Sequence, residues 1–457
     1  MKIYKSIITG IFLSVLLLNC EQLVEIDAPN NQITTASVFE DANTANAALA
    51  NLLAEVRDNS MFSGGNRGMS ALLSSYTDDL NAYFLNNTNA AQDIYNNQQL
   101  AGNTIIESFW RNAYKEIFMA NSIIEGVRNS TGISSTDKDR ISGEALLIRS
   151  LIYFNLQRIF GDIPYSASTD FQINKNLKKS SGQDLLVQLE KDLKEASGLL
   201  GEAYTNSERL HPNRKVAQLA LADLYLTTKQ WPLAEQMAKE IINSPLYVYE
   251  TSISKVFSKT GKHILWQMKP QNSNDATAEA QLYYFNNVSP TSYALSNSLV
   301  SAFSAADLRK QSWMAAVTFN QQTWYRPYKY KNLAPNTTEY SVVFRLEQAY
   351  FILAEALAQQ DRVSEAVPYI NAVRLRAALT PLPDNIPKNI FLEELHQEKR
   401  REYFTEAGMR FYDLKRWGSL DVLKATKPNW NSFQQLWPIP LSELLLNANL
   451  NPQNEGY

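Results

Sequence analysis

The chain has 457 residues, 45% hydrophobic and 19% charged, with a formal net charge of -3. That length supports a sizeable buried core, and the charge balance lacks the strongly basic face that nucleic-acid binding needs. One cysteine and three histidines exclude an intramolecular disulfide and offer no zinc-binding spacing. No phosphate-binding loop, dinucleotide fingerprint or nucleophile elbow is present; Gly64-Gly65-Asn66-Arg67-Gly68 is glycine-rich but fits none of these patterns. Aromatic residues make up 11% of the chain, with 23 Tyr and 8 Trp. Their large apolar faces and polar tips serve ligand surfaces as well as cores.

Residues 1–19 read as a targeting segment. Lys2 and Lys5 form a positive start, and the apolar run 7–18 is too short to span a bilayer comfortably. It leads to Cys20, the sole cysteine, placed like the lipidated residue of a bacterial lipoprotein, although Asn19 stands where a small residue is usual. Residues 20–36, with Glu21, Glu25 and Asp27, predict an extended polar tether.

A first helix is predicted around 44–57, where Ala45, Ala48, Leu49, Leu52, Leu53 and Val56 recur at helical spacing. Residues 60–103 are rich in Asn, Gly and Ser and predict a loop-rich insertion, the kind of segment that carries function. Helices follow at 107–127, 141–160 and 183–200; Gly161-Asp162-Ile163-Pro164 stops the second of these three. A repeat then appears. Ala222, Tyr225, Ala234, Ala238 and Ile241 have the same mutual spacing as Ala354, Leu357, Ala366, Ile370 and Val373. This is the spacing of a tetratricopeptide helix pair, in which small residues let two helices approach closely. Between the two units, residues 247–340 lose helical periodicity. Alternation at Trp324, Arg326, Tyr328 and Tyr330 predicts a strand there.

The stretch 398–418, EKRREYFTEAGMRFYDLKRWG, interleaves charges with Tyr403, Phe404, Phe411, Tyr412, Leu414 and Trp417. A surface helix separates charged and apolar faces, so some of these charges must lie beside buried rings and be paired there. Arg410 and Asp413 are therefore expected to be structural. The predicted form is a helix to about Glu406, a break at Gly408 and a short second helix ended by Gly418.

Here Glu398, Arg400, Arg401, Glu402, Gly408, Arg410, Asp413, Leu414, Arg416, Trp417 and Gly418 match the C-terminal signature of the SusD/RagB family of outer-membrane nutrient-binding lipoproteins. The run from Ala145 to Tyr165, the Trp437-Pro438-Ile439-Pro440 motif and the closing Asn-Pro-Gln-Asn-Glu-Gly-Tyr extend the resemblance over nearly the whole chain, most weakly in the two insertions. The resemblance implies a mainly α, tetratricopeptide-like solenoid forming one domain over 37–457. Its helical repeats would lie within 37–246 and 341–418, with ligand-binding insertions at 60–103 and 247–340. It implies lipidation at Cys20, anchorage in the outer membrane at the cell surface, a SusC-like TonB-dependent transporter as partner, and a glycan ligand. A peptide ligand is the alternative within the family. Neither cofactor nor metal is expected. Because sugar rings stack on aromatic faces while amides and carboxylates bind hydroxyls, Asp79, Asn81 and Tyr83 in the first insertion and Tyr283, Tyr284 and Trp324 in the second are the candidate ligand contacts. A helical glycoside hydrolase would need two carboxylates about 5–10 Å apart across one bond. Asp78-Asp79 is the only suggestive pair in a predicted loop, and adjacent side chains rarely point at one site.

Overall fold

The computed structural model describes residues 38–84 and 90–457. The expected targeting segment, Cys20 and the tether lie outside the described residues. Helix α1 (Ala42–Asp58) begins where the Asp41 carboxylate accepts hydrogen bonds from the amides of Asn43 and Thr44, donors that the first turn leaves open. Its inner face is Ala45, Leu49, Leu52 and Val56. The next helix, α2 (Met69–Tyr76), overturns part of the loop expectation for 60–103: nearly all its side chains are buried, Tyr76 among them. Its polar residues do not mark solvent. The Ser75 and Thr77 hydroxyls donate back to the carbonyls of Leu72 and Leu73, so they are satisfied without water.

The solenoid proper runs through α3 (Thr104–Asn129), α4 (Ser135–Phe160), α5 (Gly182–Leu199), α6 (Arg214–Thr227) and α7 (Trp231–Ile242), each packed on the next. Asn103, Ser134, Ser181 and Asn213 cap the first four through their side chains. Helix α4 lies between α3 and α5, which is why almost every residue from Ile141 to Phe160 is buried. It ends at Gly161, whose φ of +79° is one that side-chain-bearing residues rarely adopt.

Helices α8 (Leu346–Gln359) and α9 (Val363–Arg376) form the second repeat unit, and α7 packs directly on α8. All ten repeat landmarks are buried, as close helix packing demands. The segment 247–340 therefore leaves the solenoid between two helices that touch. Helix α10 (Lys388–Tyr403) and helix α11 (Met409–Arg416) flank a turn in which Gly408 has φ +67°, and a Cβ there would meet a Leu73 methyl carbon at 2.4 Å.

The charges of α10 and α11 form a buried network. Arg309 meets Asp307 at 2.8 Å, Glu398 at 2.6 Å and Glu402 at 3.2 Å. Arg345 meets Glu402 at 2.6 Å and Glu406 at 3.0 Å, and Arg376 pairs with Glu347 and Glu402. Lys399 and Arg416 hold Asp413 at 2.6 and 3.1 Å. A cavity of about 40 Å³ opens inside this network beside Glu279, Lys329, Arg345 and Glu406. These four charged groups are matched to one another or to Ser341, while the Tyr283 and Tyr403 hydroxyls that also line the cavity are buried without a partner.

The strands are short. Leu80–Ala82 (β1) pairs with Tyr293–Leu295 (β3), Ile264–Met268 (β2) with Ser341–Arg345 (β6), and Met314–Phe319 (β4) with Gln322–Pro327 (β5), all antiparallel. A second apolar cluster, including Leu80, Phe257, Tyr283, Tyr293, Trp313 and Phe404, joins both insertions to the end of α10.

Candidate ligand-binding face

Two pieces of local structure bring the insertions together. Strand β1 aligns Asn81 with Ala294 and Ala82 with Tyr293, and the Tyr83 amide then donates to the Ser292 carbonyl at 2.8 Å. The first insertion is thus a strand partner of the second. The β4–β5 hairpin turns over Asn320 and Gln321, with φ of 50° and 64°. Positive φ at both central residues is the geometry that matches the twist of a two-residue hairpin. This fixes the register that pairs Val317 with Trp324 and Ala315 with Arg326.

Strand alternation then sorts the side chains. Met314 and Tyr325 turn to the second apolar cluster, while Val317 and Trp324 turn the other way. On that side Trp324 and Tyr83 both pack against the buried cluster of Phe285, Ala294 and Val317. The result is a small, partly exposed aromatic face fed by both insertions. Tyr284 lies exposed at its edge, where its ring centroid is 5.0 Å from the Arg326 guanidinium carbon. Asn81 is half-buried and accepts a hydrogen bond from the Tyr95 hydroxyl at 3.4 Å. Burial pushes the Tyr95 hydroxyl pKa up, and neighbouring Tyr83 adds to the effect. The indole Nε1 of Trp324 is buried without a partner.

Of the six candidate contacts, Asn81, Tyr83, Tyr284 and Trp324 keep exposed surface in this region. Asp79 and Tyr283 do not. Asp79 is fully buried and its Oδ1 accepts from Arg400 Nε at 2.9 Å. Burial pushes its carboxyl pKa up in spite of that arginine. Tyr283 follows a short helix, and its backbone sends it inward to meet Tyr293 while Tyr284 faces out. Asp78 is likewise committed, to Arg410 and Arg400 at 2.9 Å each. Burial raises its pKa, but the two arginines outweigh that and hold the carboxyl below its ordinary value. The Asp78-Asp79 pair is a structural clamp and supplies no free acid and base.

Arg326, Phe285 and Tyr95 join the face although sequence reading did not choose them. The strand alternation contained the signal for Arg326, since it shares a side with Trp324. Phe285 and Tyr95 stand out in the sequence only as further aromatics of the two insertions, with no local pattern that ranks them above their neighbours. Among the described residues, no group of three or more His, Cys, Asp or Glu is placed to hold a metal ion, and no helix is long and apolar enough to cross a membrane.

Residues 28–226 match the family profile described as starch-binding and associating with the outer membrane, and residues 306–435 match that of the SusD family. The chain belongs to the SusD family. A SusD-like protein of Formosa agariphila is 23% identical over 99% of both chains. Among solved structures, a SusD superfamily protein of Bacteroides vulgatus superposes with a TM-score of 0.77 at 20% identity, covering 92% of this chain and 99% of that one. Surface glycan-binding protein A of Bacteroides thetaiotaomicron, solved in complex with laminarihexaose, gives a TM-score of 0.76 at 16% identity, covering 91% and 99%. The SusD fold and this chain's mainly helical, tetratricopeptide-like solenoid are the same architecture.

Proposed function

We propose that this SusD-family chain is a lipoprotein of the outer-membrane surface that captures an oligo- or polysaccharide and delivers it to a SusC-like TonB-dependent transporter. It acts by binding and not by turnover. The observation that carries the reading is the meeting of Tyr83, Tyr284 and Trp324, from two separate insertions, on one partly exposed face. A helical solenoid needs neither insertion to fold, so their ordering cost argues for a use. Flat aromatic faces supply the apolar part of sugar binding, and Asn81 offers an amide to orient hydroxyls. The laminarihexaose complex of the structural neighbour supports a glycan as the ligand class. For the transporter, the helical side offers exposed Phe118, Phe171 and Leu446 around a groove of about 450 Å³, a surface of the kind that a protein partner covers.

The test is calorimetry with laminarihexaose and longer glycans on wild type, Tyr83→Ala and Trp324→Ala, beside circular dichroism. Each variant is expected to lose about tenfold or more in affinity, the equivalent of ~1.4 kcal/mol, with an unchanged helical signal. Wild-type affinity in both variants would move the site away from this face.

A further inference from the structure

Arg326 stands apart from the other arginines around it. Arg309, Arg345, Arg376, Arg400, Arg410 and Arg416 each face a carboxylate of this chain. The Arg326 side chain makes no ion pair and no hydrogen bond among the described residues, and its Nε is buried without a partner. It is nevertheless held in place. Its guanidinium carbon sits 5.0 Å from the Tyr284 ring centroid and 4.7 Å from that of Tyr328. Cation–π contacts of this kind fix a guanidinium plane while leaving its N–H groups free to donate. A second cation, Lys331, lies 5.4 Å from the Tyr328 centroid.

The position is as informative as the missing partner. Arg326 is two residues from Trp324 on the same side of β5, which separates their Cα atoms by about 7 Å. A ligand that stacks on the Trp324–Tyr83 surface therefore passes beside a rigid, forked donor. Such a fork matches a carboxylate or a sulfate, which accepts two parallel hydrogen bonds, far better than it matches a lone hydroxyl. The formal net charge of -3 gives the molecule no general attraction for polyanions. Selection of an anion would have to be local, and Arg326 is local.

We propose that Arg326 reads an anionic substituent, so that the ligand of this face is an acidic oligosaccharide carrying a carboxylate or sulfate. This rests on the glycan-binding reading above and narrows it.

The experiment compares three probes by calorimetry: laminarihexaose as the neutral sugar, an oligouronate, and a sulfated oligogalactan. Each is titrated into the full chain as wild type, Arg326→Gln, Arg326→Lys and Trp324→Ala, with melting curves for every variant. Wild type is expected to bind one acidic probe at least about tenfold more tightly than laminarihexaose, and high salt should shrink that margin. The uronate and sulfate arms decide which anion is read. Arg326→Gln should remove most of the margin, and Arg326→Lys should restore part of it because lysine keeps the charge without the fork. If Arg326→Gln melts early, the salt dependence of wild type with the acidic and neutral probes decides instead. No preference for either acidic probe, or the same preference in Arg326→Gln as in wild type, overturns the inference. In that case, laminarihexaose binding that Trp324→Ala weakens leaves the broader glycan reading standing. An oligoglutamate peptide, titrated as a further control and bound in preference to every sugar, overturns both.

Discussion

Glu116 sits on α3 with no exposed surface, and neither carboxylate oxygen has a hydrogen-bond partner. Burial pushes its pKa up to about 8, with Glu55 adding to the rise while Ser60 and Lys115 oppose it. The folded state therefore holds a proton that the unfolded chain releases near the ordinary glutamate value of 4.5. Stability from this group is greatest below that value and is lost as pH rises through about 8. Glu116→Gln removes the titration. Its melting temperature should equal or trail that of wild type near pH 5 and exceed it by pH 8, where an unpaired buried carboxylate costs ~1–3 kcal/mol or more. Melting curves for the two proteins that stay parallel from pH 5 to about pH 9 would mean that Glu116 is solvated or paired.

At the scale of elements, α10 and α11 are held to the rest of the fold by ions as much as by apolar packing. Asp413 joins Lys399 of α10 to Arg416 of α11, and Asp78, just before β1, joins Arg400 to Arg410. These pairs are almost wholly buried, so removing Asp413 leaves Lys399 without its acid, while Arg416 keeps Glu355. Breaking a buried pair costs about 3–5 kcal/mol. Asp413→Ala should therefore lower the melting temperature clearly while leaving affinity for glycan within twofold or so once folded. A variant that melts like wild type but loses ligand would place Asp413 in the site and contradict the structural role. Gly408 is the hinge that makes this arrangement possible, since its φ of +67° and its contact with Leu73 leave no room for a side chain.

For the whole molecule, α7 packs directly on α8, so the solenoid continues across the 247–340 segment, which adds an apolar cluster of its own beside it. The aromatic face and the exposed apolar groove at Phe118, Phe171 and Leu446 are separate regions built from different elements. The proposed anchor is tested at this scale. Cys20→Ala should leave the protein soluble in the periplasm, because acyl chains contribute about 0.8 kcal/mol per buried methylene to membrane attachment. Detergent partitioning and protease treatment of whole cells would read this out. Outer-membrane fractionation of the alanine variant in cells lacking the transporter would rule out Cys20 as the anchor.

The helices, their repeat spacing and the signature of α10 and α11 were legible in the chain itself, because apolar periodicity and capping residues act over a few neighbours. The meaning of interleaved charge was legible too, since charges beside rings must find partners. The identity of those partners was not. Asp79 is buried because Arg400, 321 positions away, reaches it. Ser75 and Thr77 read as loop residues until α2 is seen enclosed. Tyr283 and Tyr284 are adjacent and chemically alike, yet one is core and one is surface, because the second apolar cluster accepts only one of them. Arg326 is ordinary as a letter in the sequence. Its lack of a carboxylate is a property of everything folded around it, and burial and pairing are sums over segments that only the tertiary structure brings together.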